Sequence, residues 1–173
     1  MRSLLSLVLV LFAIGVNAKS YNKSFIMNMH PEGKLYFVYE TKMPSTAGKN
    51  VGSLKYDYTH IDSREEVALL MTCSTIKPAV IESMTIVLPS GEKHTLPIEK
   101  IYNSKKRKMW DSRIRCYIDR AVWLEMYNQE QPFQIELQLN DGTTLQFCDK
   151  PRNWKKNREK MTFIQEVISL NRN

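Results

Sequence analysis

Phe133-Gln134-Ile135-Glu136-Leu137-Gln138-Leu139-Asn140-Asp141-Gly142, with its return from Thr143 to Cys148, reads as a β-hairpin. Phe133, Ile135, Leu137 and Leu139 alternate with Gln134, Glu136, Gln138 and Asn140. A period of two sends neighbouring side chains to opposite faces, so this strand has one buried face and one wet face. Asn140-Asp141-Gly142 suits the turn, because glycine accepts positive φ and Asn and Asp tolerate it better than most residues. A hairpin of this kind builds antiparallel sheet.

The same pattern extends upstream. Leu35 to Thr41 is rich in aromatic and β-branched residues, as strands are. Leu54 to Ile61 alternates, with Leu54, Tyr56, Tyr58 and His60 on one side. Ser63-x-x-Glu66 matches a helix capping box, which would make Val67 the start of a helix. Thr72, Thr75 and Ile76 favour extended backbone instead, so Val67 to Ser74 reads as a buried strand after a hairpin turn. Ile81 to Leu88 and Lys93 to Ile98 flank a turn at Pro89-Ser90-Gly91-Glu92, and Arg113 to Ile118 places Ile114, Cys116 and Ile118 on one face. Phe25 to Met29 is a short edge strand or a loose lead, followed by a turn at Pro31-Glu32-Gly33. Pro44 to Asn50 reads as a loop, and Ile101 to Asp111 as a basic loop closed by Trp110.

Two helices complete the reading. Asp119 is the expected cap of a short helix over Arg120 to Asn128, which Pro132 stops. The second helix spans about 153–170. Trp154, Met161, Ile164, Val167 and Ile168 recur on one side of it at helical spacing. The expected fold is α+β and β-dominated: an antiparallel sheet curled or doubled into a sandwich, with a C-terminal amphipathic helix packed on it. Ile86, Gly91, Leu96 and Trp110 echo Ile135, Gly142, Leu145 and Trp154, but two thin copies do not make a solenoid.

The first residues carry an address. Arg2 precedes a mostly apolar run, Leu4 to Val16, and Val16-Asn17-Ala18 has the small-x-small form of a cleavage site. Residues 1–18 are therefore expected to be a removed signal peptide, and residues 19–173 a single globular domain. The expected location is extracytoplasmic, periplasmic or secreted. The apolar run falls short of the roughly 20 residues of a membrane span. No later window reaches that length, so no transmembrane segment is expected in the mature chain. Hydrophobic content of 43 % and charged content of 25 % describe a globular chain and not a disordered one.

Cys73, Cys116 and Cys148 allow one disulfide in an oxidising compartment, in any of three pairings. The leftover thiol would be buried. The net charge is +7 and uneven. Residues 100–115 hold seven Lys/Arg against one Asp, and residues 150–160 hold six against one Glu. Two segments of this kind would form a basic flank for an anionic partner. The candidate anion-binding residues are Lys105, Lys106, Arg107, Lys108, Arg152, Lys155 and Lys156. Tyr102 and Trp110 bracket the first group and could stack on a ligand.

The sequence holds no Gly-x-Ser-x-Gly elbow, no phosphate loop, no His-Glu-x-x-His helix and no Cys-x-x-Cys, which lowers the odds of the common enzyme classes. No metal site and no cofactor is expected. The reading that results is an exported, non-enzymatic binding module whose basic flank meets an acidic glycan, lipid headgroup or protein; nucleic acid is not expected as a partner. Two alternatives stand beside it. One is a small extracytoplasmic hydrolase or thiol enzyme using His60 with Asp62, or Cys116. The other is a structural subunit of an envelope assembly, pairing with another envelope protein through an exposed strand edge. Trp110, Trp123 and Trp154 would serve a sugar platform or, more simply, cover the core.

Overall fold

A computed structural model describes residues 21–46 and 51–172. The expected signal peptide, residues 1–18, lies outside the described residues, as do residues 47–50 of the expected Pro44 to Asn50 loop. Ten strands and two helices follow in order: β1 (Phe25–His30), β2 (Gly33–Met43), β3 (Leu54–Ile61), β4 (Glu66–Thr75), β5 (Ile81–Val87), β6 (Lys93–Pro97), β7 (Glu99–Lys106), β8 (Met109–Asp119), α1 (Arg120–Asn128), β9 (Gln134–Leu139), β10 (Thr144–Cys148) and α2 (Pro151–Leu170). They form two antiparallel sheets. The larger has the order β1-β2-β3-β4-β8-β7 and the smaller β10-β9-β5-β6. The doubled sheet and its C-terminal helix match the expected class.

Register shows why these residues make this sandwich. Tyr36, His60, Val67 and Ile118 stand opposite one another across four strands of the larger sheet. The next inward row is Val38, Tyr58, Leu69 and Cys116. All eight side chains are buried. The smaller sheet answers with Met84 opposite Leu137 and Ile86 opposite Ile135. Period-two patterning in each strand thus becomes one shared apolar layer.

Helix α2 closes the β2 side of this layer. Trp154, Met161, Ile164 and Ile168 are buried along it, and Val167 packs against the core from a half-buried position. The Trp154 ring stacks on Tyr127 with centroids 5.6 Å apart and meets Phe133 edge-on at 5.5 Å. The Trp154 indole N–H donates to the Glu130 carbonyl at 3.0 Å, and Gln165 Nε2 donates to the Trp123 carbonyl at 2.8 Å. Among the described residues, no helix is long and apolar enough to cross a membrane.

Three local expectations differ from the structure. Ile101 to Asp111 is not a loop: it forms most of β7, a tight turn at Arg107-Lys108 and the start of β8. Lys, Asn and Ser disfavour strands on their own, but continuous pairing from Glu99 opposite Arg115 to Lys106 opposite Met109 overrides that preference. Arg107 holds φ +58 in the left-handed region to make the turn. Asp119 offers no side-chain cap to α1; instead the Arg120 N–H donates to the Glu65 carbonyl at 2.7 Å. Helix α2 begins at Pro151, which needs no N–H donor in the first turn.

Gly33 shows one backbone requirement plainly. Its φ is +146, and the Asp62 carboxylate sits where a Cβ would project. Asp62 Oδ1 accepts the Lys34 N–H at 2.9 Å, and the Asp62 N–H donates to the Lys34 carbonyl at 3.0 Å. We expect Gly33→Ala to destabilise the fold by about 2 kcal/mol or more, through backbone strain and displacement of this clamp. Urea unfolding of the variant measures it; an unchanged midpoint would contradict the geometry.

Candidate functional site

The enzyme alternative required His60, Asp62 or Cys116 to meet a substrate. His60 is 2 % exposed and occupies a core row of the larger sheet. Its Nδ1 lies 3.0 Å from the Glu66 carbonyl, and its ring lies 5.8 Å from that of Trp123. Burial holds the imidazole pKa below its ordinary value, so the neutral ring is favoured. Asp62 is 6 % exposed and is occupied by the Lys34 main chain. No hydrogen bond joins it to His60 among the described residues. Cys116 is buried with its thiol toward the Leu69 carbonyl, and burial pushes its pKa up to about 12. A thiolate nucleophile needs the opposite shift and an approach path. These three groups are thus built as core, and the structure does not assemble them for catalysis.

All three cysteines are free, which corrects the expectation of a disulfide. The register supplies the reason for one pair. Cys73 stands opposite Ser112, and Leu69 opposite Cys116, so the two thiols are separated by four residues along the strands. That is about 13 Å, against a Cα limit of about 7 Å for a disulfide. Cys148 belongs to the other sheet. No group of three His, Cys, Asp or Glu residues among those described is placed to hold a metal ion.

The cationic residues are placed differently. Every residue of β7 is exposed. Lys105 and Lys106 end this strand, and Arg107 and Lys108 form the turn that follows. Lys100 lies at the other end of the strand. Among the described residues none of these five cations has an acidic partner. Neighbouring cations do: Arg113 pairs with Asp57 at 2.9 Å, and Arg115 with Glu99 at 2.5 Å. The hairpin thus carries a run of unpaired charge. A groove of about 310 Å³ adjoins it, lined chiefly by Ala79, Val80, Ile101, Tyr102, Asn103 and Ile114. Ile101 and Tyr102 are each 45 % exposed. Asn103 Nδ2 and Ser112 Oγ both donate to the Ala79 carbonyl, at 3.3 and 3.2 Å, which fixes the groove floor to the sheet.

Arg152, Lys155 and Lys156 are exposed on the first turns of α2, also without acidic partners among the described residues. No acidic residue occupies the first turn of this helix, where the macrodipole favours negative charge. The structure does not join this patch to the hairpin. Strand β10, which leads into α2, is bridged to the end of β2 by Ser45 and Phe147. Farther along α2, Lys160 Nζ donates to Thr41 of β2. Strand β7 lies four strands from β2 in the larger sheet, about 19 Å at ordinary strand spacing. The single basic flank expected from composition is two patches, one beside β2 and one on β7, on opposite sides of the larger sheet.

Trp123 and Trp154 are buried, so they cover core and offer no ring to a sugar. Trp110 is half-buried opposite Lys105. The opposite edge strand, β1, carries no Lys, Arg, Asp or Glu, and Ile26, Met27 and Met29 are exposed on it.

One polar cluster escaped the reading of sequence. Asp149 is 4 % exposed beneath α2, with Oδ2 accepting from Asn157 at 2.8 Å and Oδ1 unpartnered. Burial pushes the Asp149 carboxyl pKa up, and burial pulls the Lys160 ammonium pKa down. Each feels the other's charge without a direct ion pair. No spacing motif marks them, because the residue after β10 and the third turn of α2 meet only in the folded chain.

Comparison with known protein families, curated proteins and solved structures finds no match to this chain.

Proposed function

We propose that this protein is a non-enzymatic binding module working outside the cytoplasm, and that its β7–β8 hairpin holds an acidic macromolecular partner. The observation that carries this reading is the run Lys105-Lys106-Arg107-Lys108, exposed at a strand end and turn without acidic partners among the described residues. Four adjacent like charges repel one another and gain nothing for the free fold, whereas an anionic partner turns the same repulsion into attraction. The burial of His60, Asp62 and Cys116 favours binding over hydrolysis or thiol chemistry. The leader-like residues 1–18 support the extracytoplasmic setting.

The test is binding of polyglutamate, heparin and phosphatidylglycerol vesicles as a function of salt. At least one should bind and weaken as the screening length shrinks from about 10 Å at 0.1 M toward about 3 Å at 1 M. The variant Lys105→Gln/Lys106→Gln/Arg107→Gln/Lys108→Gln should lose at least about tenfold in affinity. Neutralising Arg152, Lys155 and Lys156 should leave most of it, because that patch lies elsewhere. An unaffected hairpin variant, or no binding to any polyanion at low salt, refutes the proposal.

A further inference from the structure

We propose that the acidic partner docks as an extended peptide, adding a strand to the free edge of β7. The inference rests on the binding role just assigned to the hairpin and specifies the partner's form.

Strand β7 pairs with β8 on one side and ends the larger sheet on the other. An edge strand presents main-chain N–H and C=O groups that a neighbouring strand can satisfy. The edge is regular where it matters: the register shift against β8 lies between Lys100 and Tyr102, and pairing is unbroken from Tyr102 to Lys106. Five consecutive residues can therefore receive an incoming strand.

Charge selects what arrives. A second copy of this edge would bring two runs of four cations onto one short ladder, so self-pairing is disfavoured. Lys105 and Lys106 project to opposite faces, so alternate acidic side chains of an added strand meet one of them along the ladder, and the turn cations Arg107 and Lys108 attract the same strand at its end. The same cations thus exclude one class of edge partner and attract another.

The groove argues for polypeptide over glycan or headgroup. Its wall includes the exposed aliphatic and aromatic surfaces of Ile101 and Tyr102, beside Ala79, Val80 and Ile114. An acidic polysaccharide would satisfy the cations but supply no apolar side chain for that wall. An extended peptide alternating acidic and apolar residues satisfies cations, main-chain edge and groove together.

The experiment titrates the full chain with a short peptide of alternating valine and glutamate. The same peptide N-methylated on every second amide, heparin and phosphatidylglycerol vesicles are titrated in parallel. Amide hydrogen exchange is followed along β7. The plain peptide should bind and slow exchange at alternate amides within 102–106. The N-methylated peptide keeps charge and side chains but loses the ladder, and should bind at least about tenfold more weakly. Lys105→Glu/Lys106→Glu should abolish binding of the plain peptide. Equal binding of both peptides, or exchange along β7 that does not change, overturns strand addition while leaving an electrostatic binding role intact. Binding of heparin or vesicles without binding of peptide has the same meaning. Failure of every anion to bind overturns both proposals.

Discussion

Trp154→Ala is expected to remove about 3–5 kcal/mol of stability, the range for deleting a buried large aromatic side chain. Trp154 is 2 % exposed and touches the core in two ways. Its ring stacks on Tyr127 and meets Phe133 edge-on, while its N–H satisfies the Glu130 carbonyl. Truncation opens a cavity under the first turns of α2 and takes away a hydrogen-bond donor. A domain of this size is ordinarily stable by about 5–15 kcal/mol, so this one change removes a large share. Trp154→Phe keeps a ring but not the N–H, and should lose only about 1–2 kcal/mol. Urea unfolding followed by far-ultraviolet circular dichroism measures both. A loss below about 1 kcal/mol for Trp154→Ala would mean that α2 is not docked by this residue.

The second large effect concerns Asp149 and Lys160. Lys160→Met removes the positive charge that favours the buried Asp149 carboxylate, without breaking a direct ion pair, and is expected to cost about 1–2 kcal/mol at pH 7. The pH dependence follows from the sign of the shift. Burial raises the folded pKa of Asp149 above its unfolded value of 3.8, so folding favours the protonated form. The stability tied to that proton is fully present below the unfolded pKa and is lost as pH rises through the folded one. Removing Lys160 raises the folded pKa further, because the lysine was favouring the anion. The penalty of Lys160→Met should therefore shrink as pH falls from 7 toward 4, where Asp149 takes up a proton.

The Lys160 shift has the opposite consequence. Burial lowers its folded pKa below 10.5, so its contribution improves as pH rises from the folded pKa to the unfolded one. Both groups are thus costly in their charged forms. The double variant Asp149→Asn/Lys160→Met should return to within about 1 kcal/mol of the parent, because neither charge remains buried. A double-mutant cycle over pH 4 to 9 tests the coupling. Strictly additive losses with no pH dependence would show that the two groups do not sense each other.

Legibility from sequence followed a physical boundary. Strands with one buried face announced themselves, as in Leu54 to Ile61, where Leu54, Tyr56, Tyr58 and His60 all turn inward. The Asn140-Asp141-Gly142 turn was equally legible, because Gly142 takes φ +83 as its residue type allows. Helix α2 was legible from the spacing of Trp154, Met161, Ile164 and Ile168. Strand β7 was not, since it is exposed on both faces and has no apolar period. Its extended form comes from a partner strand, β8, and not from its own residues. His60 and Asp62 looked like a possible pair because they are two apart on one strand. The fold gives each a separate main-chain partner, a fact that depends on Glu66 and Lys34. The basic segments looked like one flank because linear charge counts carry no information on which side of a sheet each occupies.

Among the described residues, main-chain hydrogen bonds lace the two sheets together along one side. Thr46 N–H to the Gln146 carbonyl and Cys148 N–H to the Pro44 carbonyl tie β10 to the chain leaving β2. On the far side, no main-chain hydrogen bond among the described residues joins β6 to β7 or β8. Native-state opening is therefore expected to begin along that side, where amide exchange would report it. That side also carries the lysine-tipped hairpin, so a strand arriving at β7 breaks no main-chain bond between the two sheets.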